Sequence, residues 1–63
     1  MNEYIPCRQQ LPPDNEVVMT KIDDADGVRS ERPLKRLEGT GNLWFLPDGS
    51  MYVYYTPTHW KRI

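Results

Sequence analysis

Residues 42–60 read NLWFLPDGSMYVYYTPTHW and hold six of the seven aromatic side chains of the chain. Two runs rich in aromatic and β-branched residues flank a Pro-Asp-Gly tripeptide at residues 47–49. In this tripeptide, proline sets φ for the first corner of a type I turn, aspartate caps the turn, and glycine takes the left-handed position that follows. The pattern therefore predicts an antiparallel β-hairpin over residues 42–55, followed by an aromatic tail over residues 56–63.

The second run of this hairpin is apolar on both of its faces. Alternation places Met51, Val53 and Tyr55 on one face, and Tyr52 and Tyr54 on the other. Such a strand is either sandwiched within the domain or leaves one face for a partner. We expect Pro47 and Gly49 to be structural residues of the turn.

The remainder of the chain predicts short extended elements. Residues 1–15 contain three prolines and are expected to form an extended arm, which Ile5 and Leu11 dock on the core. Residues 16–23 are rich in strand formers and predict the first strand. The segment 28–41 is expected to be irregular, with a short strand ending near Glu38. The predicted fold is mainly β: a small antiparallel sheet of three to four strands with an extended, proline-containing N-terminal arm.

Length and composition restrict how the fold is stabilised. A single domain of 63 residues is expected to be stable by about 3–9 kcal/mol. Cys7 is the one cysteine, so an intrachain disulfide is excluded. Cys7 and His59 supply two good zinc ligands where about four are needed, and we expect neither a metal nor another cofactor. Self-association remains as a source of stability, and we expect a homodimer.

Hydropathy and charge favour a soluble protein. No segment approaches the roughly 20 apolar residues of a membrane span, and residues 1–4 lack the features of a signal peptide. A lone thiol suits a reducing compartment. We therefore expect a cytoplasmic protein with no membrane association. The net charge of −1 gives no electrostatic reason to expect nucleic acid.

Three sets of residues invite a chemical role. His59 is the side chain best suited to acid–base chemistry near neutral pH, but the local sequence ties no nucleophile or carboxylate to it. We expect instead that Thr58-His59-Trp60 ends the sheet, with Trp60 packed against the arm and the imidazole bonded to a loop carbonyl. Cys7, beside Arg8, is expected to be a small packed residue.

The third set is an acidic cluster. Asp23, Asp24 and Asp26 precede Gly27, but neither the register nor the downstream glutamate of a calcium loop is present. A solvated turn is the better interpretation. We predict no catalytic residue, and hence a protein that is not an enzyme.

Two kinds of binding surface remain open. The first is a protein-interaction surface on the aromatic hairpin. The second is a single-stranded nucleic-acid surface, in which aromatic rings stack on bases inside a basic rim. Six of the eight basic residues of the chain supply this rim: Arg29, Arg32, Lys35, Arg36, Lys61 and Arg62. The candidate binding residues are Trp44, Tyr52, Tyr54, Arg32 and Arg36.

The two ends of the chain resemble one known family. Residues 4–7 (YIPC) and 11–12 (LP) precede a turn into a first strand, and residues 49–57 lead into Thr-His-Trp at 58–60. This combination resembles a small domain-of-unknown-function family of tailed phages and bacterial prophages. The resemblance implies a small, mostly β domain of phage or prophage origin, located in the bacterial host cell. It implies no named activity, so we expect an accessory protein whose partner is a host or phage protein.

Overall fold

The protein folds around one open antiparallel sheet. The computed structural model describes residues 3–63 and contains four strands, β1 (Ile5–Pro6), β2 (Val18–Asp24), β3 (Gly27–Leu34) and β4 (His59–Arg62). Their order in the sheet is β1-β4-β2-β3. Residues 3–63 contain no helix, and hence none that is long and apolar enough to cross a membrane. The predicted mainly β fold with an antiparallel sheet is confirmed.

Strands β2 and β3 form the one regular hairpin among the described residues. Asp24 pairs with Gly27 across a two-residue turn, and the Asp26 N–H donates to Asp24 Oδ1 at 2.9 Å. Gly27 has φ of +109°, a conformation that glycine adopts without the steric penalty of a side chain. Arg29 donates to both carboxylate oxygens of Asp24, at 2.8 and 3.1 Å. The acidic cluster is therefore a turn closed by an arginine.

The segment from residue 28 onward was predicted incorrectly. It begins as a regular strand, β3, rather than as an irregular stretch with a strand ending near Glu38. Pro33 pairs with Met19 of β2 within this strand. The Lys35 N–H donates outward to Phe45 O at 2.9 Å. Alternate residues of a strand direct their N–H groups to the same side, so the Pro33 nitrogen also faces the outer edge, where no ladder partner is needed.

The C-terminal segment is a central strand and not a tail. β4 lies between β1 and β2, with Trp60 opposite both Ile5 and Thr20. The Cys7 N–H continues the β1 pairing by donating to Thr58 O at 2.8 Å. Long-range pairing, which local sequence does not encode, gives residues 59–62 this position.

The core lies on one face of the sheet. Its fully buried members come from β2, β3, β4 and the connection between β3 and β4: Val18, Leu34, Trp44 and Trp60. Partly buried side chains pack around them: Ile5, Cys7, Leu46, Val53 and Tyr55. The connection therefore forms a second layer, which covers the sheet and carries the candidate site.

The N-terminal arm docks through Ile5, as predicted, but not through Leu11. Leu11 is 49% exposed, whereas Pro12 is buried. Trp60 Nε1–H donates to the Gln10 carbonyl at 2.7 Å. This hydrogen bond fixes the arm where it passes the core, with the proline turned inward and Leu11 facing water, so Leu11 does not anchor it.

The opposite face of the sheet carries Tyr4. Its ring lies under two ammonium groups, 4.2 Å from Lys21 Nζ and 4.8 Å from Lys61 Nζ. Its hydroxyl donates to a carboxylate oxygen of Glu31 on β3. Burial, together with the hydrogen bond and charge of Glu31, raises the pKa of Tyr4 to about 12. Tyr4 thus connects the N-terminal arm to the far edge of the sheet.

Candidate interaction surface

The candidate site is built on the chain reversal at residues 47–49. The Gly49 N–H donates to Leu46 O at 2.8 Å, and Asp48 Oδ1 accepts from the Ser50 N–H at 2.9 Å. Gly49 has φ of +76°, the left-handed conformation that the turn requires. The turn chemistry at this point is as the sequence predicted.

The hairpin around this turn is shorter and less regular than predicted over residues 42–55. Residues 44–46 lie opposite residues 51–53, with Val53 N–H donating to Trp44 O and Leu46 N–H to Met51 O, both at 2.9 Å. Only the Phe45 to Tyr52 bridge is formed between them, and no regular strand results. Phe45 uses its own N–H and C=O groups to bond Lys35 of the neighbouring chain segment. The hairpin therefore extends the edge of β3 instead of forming an independent sheet.

Alternation along this hairpin creates an exposed aromatic row. The rings of Phe45 and Tyr52 have centroids 6.0 Å apart, and those of Tyr52 and Tyr54 are 5.6 Å apart. Both pairs meet edge to face, a favourable arrangement for aromatic rings. Tyr52 is 41% exposed and Tyr54 is 86% exposed. We call Tyr52 and Tyr54 the aromatic ridge.

A groove of about 310 Å³ runs along one side of this ridge. Its inner wall is formed by Leu46, Val53 and Tyr55, which also pack against the core. Its outer wall carries Met51, which is 51% exposed, and Arg32 of β3. We call this space the aromatic groove. A second depression of about 300 Å³ lies against the same residues on the side of Asn42 and Leu43, so the ridge is accessible from both sides.

The Arg32 side chain borders the groove without an acidic partner among residues 3–63. Its backbone carbonyl accepts a hydrogen bond from the buried Thr20 hydroxyl at 2.8 Å, which fixes this point of β3. Among residues 3–63, the ion pairs are those of Lys21, Arg29 and Arg62, and no carboxylate oxygen lies within 4.0 Å of the Arg32 guanidinium. Arg32 therefore presents an uncompensated charge beside exposed aromatic rings.

Two of the predicted binding residues are structural. Trp44 is 1% exposed, because alternation turns it toward the sheet when Phe45 faces outward. The Arg36 guanidinium lies 5.2 Å from the centre of the Trp44 ring and donates to the Gly41 carbonyl at 2.6 Å. Trp44 is therefore a core residue and Arg36 contacts its own chain, and the structure brings together Arg32, Tyr52 and Tyr54.

The predicted basic rim is divided among separate contacts. Arg29 is bonded to Asp24, Arg62 pairs with Glu16 at 3.1 Å, and Lys61 lies over Tyr4 on the other face of the sheet. These side chains do not surround the aromatic ridge.

Sequence reasoning missed two features of the aromatic groove. The first is the exposure of Met51. Alternation placed Met51 on one face with Val53 and Tyr55, but its position close to the turn leaves it half exposed. A large apolar residue near a turn is the sequence signal for such an exposed position. The Tyr55 hydroxyl is buried without a hydrogen-bond partner among the described residues. A buried hydroxyl of this kind destabilises the fold.

A third depression, of about 630 Å³, is lined by Cys7 and His59 among others. His59 Nδ1 lies 2.7 Å from the Thr58 hydroxyl, so the imidazole is bonded to its neighbour and not to a loop carbonyl as predicted. Burial raises the pKa of the Cys7 thiol, and the charge of Arg36 opposes that shift only in part. Within residues 3–63, no three His, Cys, Asp or Glu side chains are placed to hold a metal ion. Burial works against the thiolate form of Cys7, and no hydrogen bond joins Cys7 to the His59 imidazole among residues 3–63.

Fold and site together define a small β protein with an exposed aromatic ridge and, beside it, the aromatic groove that Arg32 borders. Comparisons with protein-family models, curated proteins and solved structures found no match. Function must therefore be argued from the surface itself.

Proposed function

We propose that the chain is a small protein-interaction module that binds a protein partner through the aromatic ridge and the aromatic groove. The observation that carries this proposal is the exposure of Tyr54, which leaves 86% of its surface in water although the chain is rich in aromatic packing. Tyrosine, methionine and arginine are enriched in protein interfaces, and tyrosine and arginine dominate their binding energy. Tyr54, Met51 and Arg32 adjoin the same groove.

The packing of Tyr52 within the ridge supports this role. Tyr52 is held between Phe45 and Tyr54 by edge-to-face contacts, and the groove wall beneath is continuous with the core through Val53. A side chain that is already ordered loses less conformational entropy on binding than a mobile one. Tyr52 is therefore packed in place before a partner binds, and its ring supports the exposed Tyr54 ring.

Charge favours a protein over a nucleic acid. Arg32 is the one basic residue that lines the aromatic groove, and the chain has a net charge of −1. Non-specific binding of single strands requires a positively charged channel along several phosphates. With Trp44 buried, two tyrosines and one arginine remain, which is a smaller set than such a channel uses.

We further propose that the protein acts without catalysis, as an accessory protein in the cytoplasm of a bacterial host. Its origin in a phage or prophage is supported by the resemblance of residues 4–12 and 49–60 to the phage family described above. Self-association through the same ridge is the simplest additional state, because a two-fold dimer requires only one kind of surface.

The test is affinity capture from lysogenic bacteria with matched variants. The wild-type chain, Tyr54→Ser and Val28→Ser are immobilised, and captured protein and nucleic acid are both quantified. Val28 is also an exposed apolar residue, but it lies beside the β2–β3 turn. We expect one protein partner to be retained by wild type and Val28→Ser and lost with Tyr54→Ser. Capture that is indifferent to Tyr54, or capture of nucleic acid alone, would overturn the proposal.

A further inference from the structure

We propose that the segment bound by the aromatic groove is acidic as well as apolar: an extended stretch of the partner in which a carboxylate side chain adjoins an aliphatic or aromatic one. The carboxylate pairs with Arg32, and the apolar side chain enters between Met51 and Tyr54. This inference rests on the proposed function and specifies the chemistry of the partner.

Charge complementarity is the first argument. Arg29 and Arg32 both lie on β3, but Arg29 is neutralised by Asp24 at 2.8 Å, whereas Arg32 has no carboxylate within 4.0 Å among residues 3–63. Guanidinium groups bind carboxylates through paired, charge-assisted hydrogen bonds. An occupant with a carboxylate supplies the partner that the fold itself leaves out, and a basic occupant is repelled.

The shape and lining of the groove give the second argument. Its volume of about 310 Å³ lies at the lower end of the range for ligand sites, about 300–1,000 Å³, which suits one or two side chains. Apart from Arg32, the residues that line it are apolar or aromatic. Met51 has a flexible, polarisable side chain that adapts to different apolar shapes. A short peptide segment with one apolar anchor therefore fits the site better than a broad flat surface.

The ligand chemistry can be tested without knowing the partner. A library of random dodecapeptides made by messenger-RNA display is selected on the wild-type chain, and the enriched peptides are synthesised. Their affinities are measured by fluorescence anisotropy for wild type, Arg32→Gln, Arg29→Gln and Tyr54→Ser. Arg29→Gln is the matched control, because it removes the same charge from the same strand. The thermal unfolding of each variant is recorded to show that it remains folded.

We expect enriched peptides to place Asp or Glu next to an aliphatic or aromatic residue. Their affinity should fall about tenfold or more with Arg32→Gln, as expected for loss of a charge-assisted hydrogen bond. It should fall similarly with Tyr54→Ser and by less than about threefold with Arg29→Gln.

Two results would overturn this inference while leaving the proposed function in place. One is enrichment of peptides without acidic residues that still depend on Tyr54. The other is equal weakening by Arg32→Gln and Arg29→Gln, which would indicate an effect of net charge only. Binding that ignores Tyr54, or no enrichment at all, would also overturn it. Association of the chain with itself through Tyr54, which no selected peptide displaces, would identify a second copy as the occupant and contradict the inference.

Discussion

Trp60 is the residue whose removal should damage the fold most. It is fully buried, it lies in the central strand β4 opposite both Ile5 and Thr20, and its indole N–H donates to the Gln10 carbonyl at 2.7 Å. Trp60→Ala removes the hydrogen bond to the Gln10 carbonyl of the N-terminal arm together with a large part of the core.

The expected loss is comparable with the whole stability of the chain. Truncating a buried tryptophan to alanine costs about 3–5 kcal/mol, and the lost hydrogen bond adds about 0.5–1.5 kcal/mol. A chain of 63 residues is expected to have about 3–9 kcal/mol in total. We therefore expect Trp60→Ala to be largely unfolded, or to unfold at a much lower urea concentration than the wild type.

Urea denaturation followed by far-ultraviolet circular dichroism measures this loss. Trp60→Phe keeps most of the apolar volume but not the indole N–H, and we expect it to lose about 1–3 kcal/mol. Val28→Ser, at an exposed position, should change stability by less than about 0.5 kcal/mol. A loss below about 1 kcal/mol for Trp60→Ala would refute the assignment of Trp60 to the core.

Three further changes test other parts of the fold. Gly49→Val should cost about 1–3 kcal/mol in urea denaturation, because the φ of +76° at Gly49 disfavours a β-branched residue. The cost comes from the backbone and not from a clash, since a Cβ there would meet only the end of a lysine side chain at 3.7 Å. An unchanged midpoint would contradict this. Tyr55→Phe removes a buried hydroxyl that has no hydrogen-bond partner among residues 3–63 and should leave stability unchanged or raise it by about 1 kcal/mol, whereas a clear loss would reveal a partner for that hydroxyl. Carbon-13 NMR titration should give Tyr4 a pKa of about 12 against an ordinary 10.0, and Glu31→Gln should lower it. Because the pKa of Tyr4 is higher in the folded chain than in the unfolded one, the contribution of protonated Tyr4 to stability is complete below pH 10 and is lost as the pH rises through 12. A Tyr4 pKa of 10 in the wild type would contradict the contact between Tyr4 and Glu31.

Turn chemistry was the part of the fold that local sequence encoded well. The Pro-Asp-Gly turn at residues 47–49 and the acidic turn before Gly27 depend on φ preferences and on aspartate side chains that bond the backbone two residues on. Both are properties of a few consecutive residues, and the structure has both turns where the sequence placed them.

The position of each segment in the sheet was not encoded locally. A proline such as Pro33 disfavours a strand only where its nitrogen would face a neighbouring strand. Whether β3 lies at an edge of the sheet depends on the pairing of all the strands. Residues 59–62 have no feature that marks a central strand, because their position depends on Ile5 and Thr20, which are distant in sequence.

The candidate site shows the same division. Alternation correctly placed Tyr52 and Tyr54 on one face, but it does not give the register that decides which residue of the first run lies opposite Tyr52. The structure pairs Phe45 with Tyr52, which turns Trp44 to the other face, toward Leu34 and Trp60 in the core. Sequence alone therefore grouped a buried tryptophan with two exposed tyrosines, and contact with the sheet separates them.

The most direct test of the proposed interaction surface compares stability and affinity in Tyr54→Ser. The captured partner is titrated into wild type and variant by isothermal calorimetry, and the free energy of unfolding of both chains is measured in urea. We predict that affinity falls about tenfold or more, while stability changes by less than about 0.5 kcal/mol, because the Tyr54 ring is 86% exposed. Unchanged affinity, or a loss of affinity accompanied by an equal loss of stability, would contradict the assignment of the aromatic ridge to recognition.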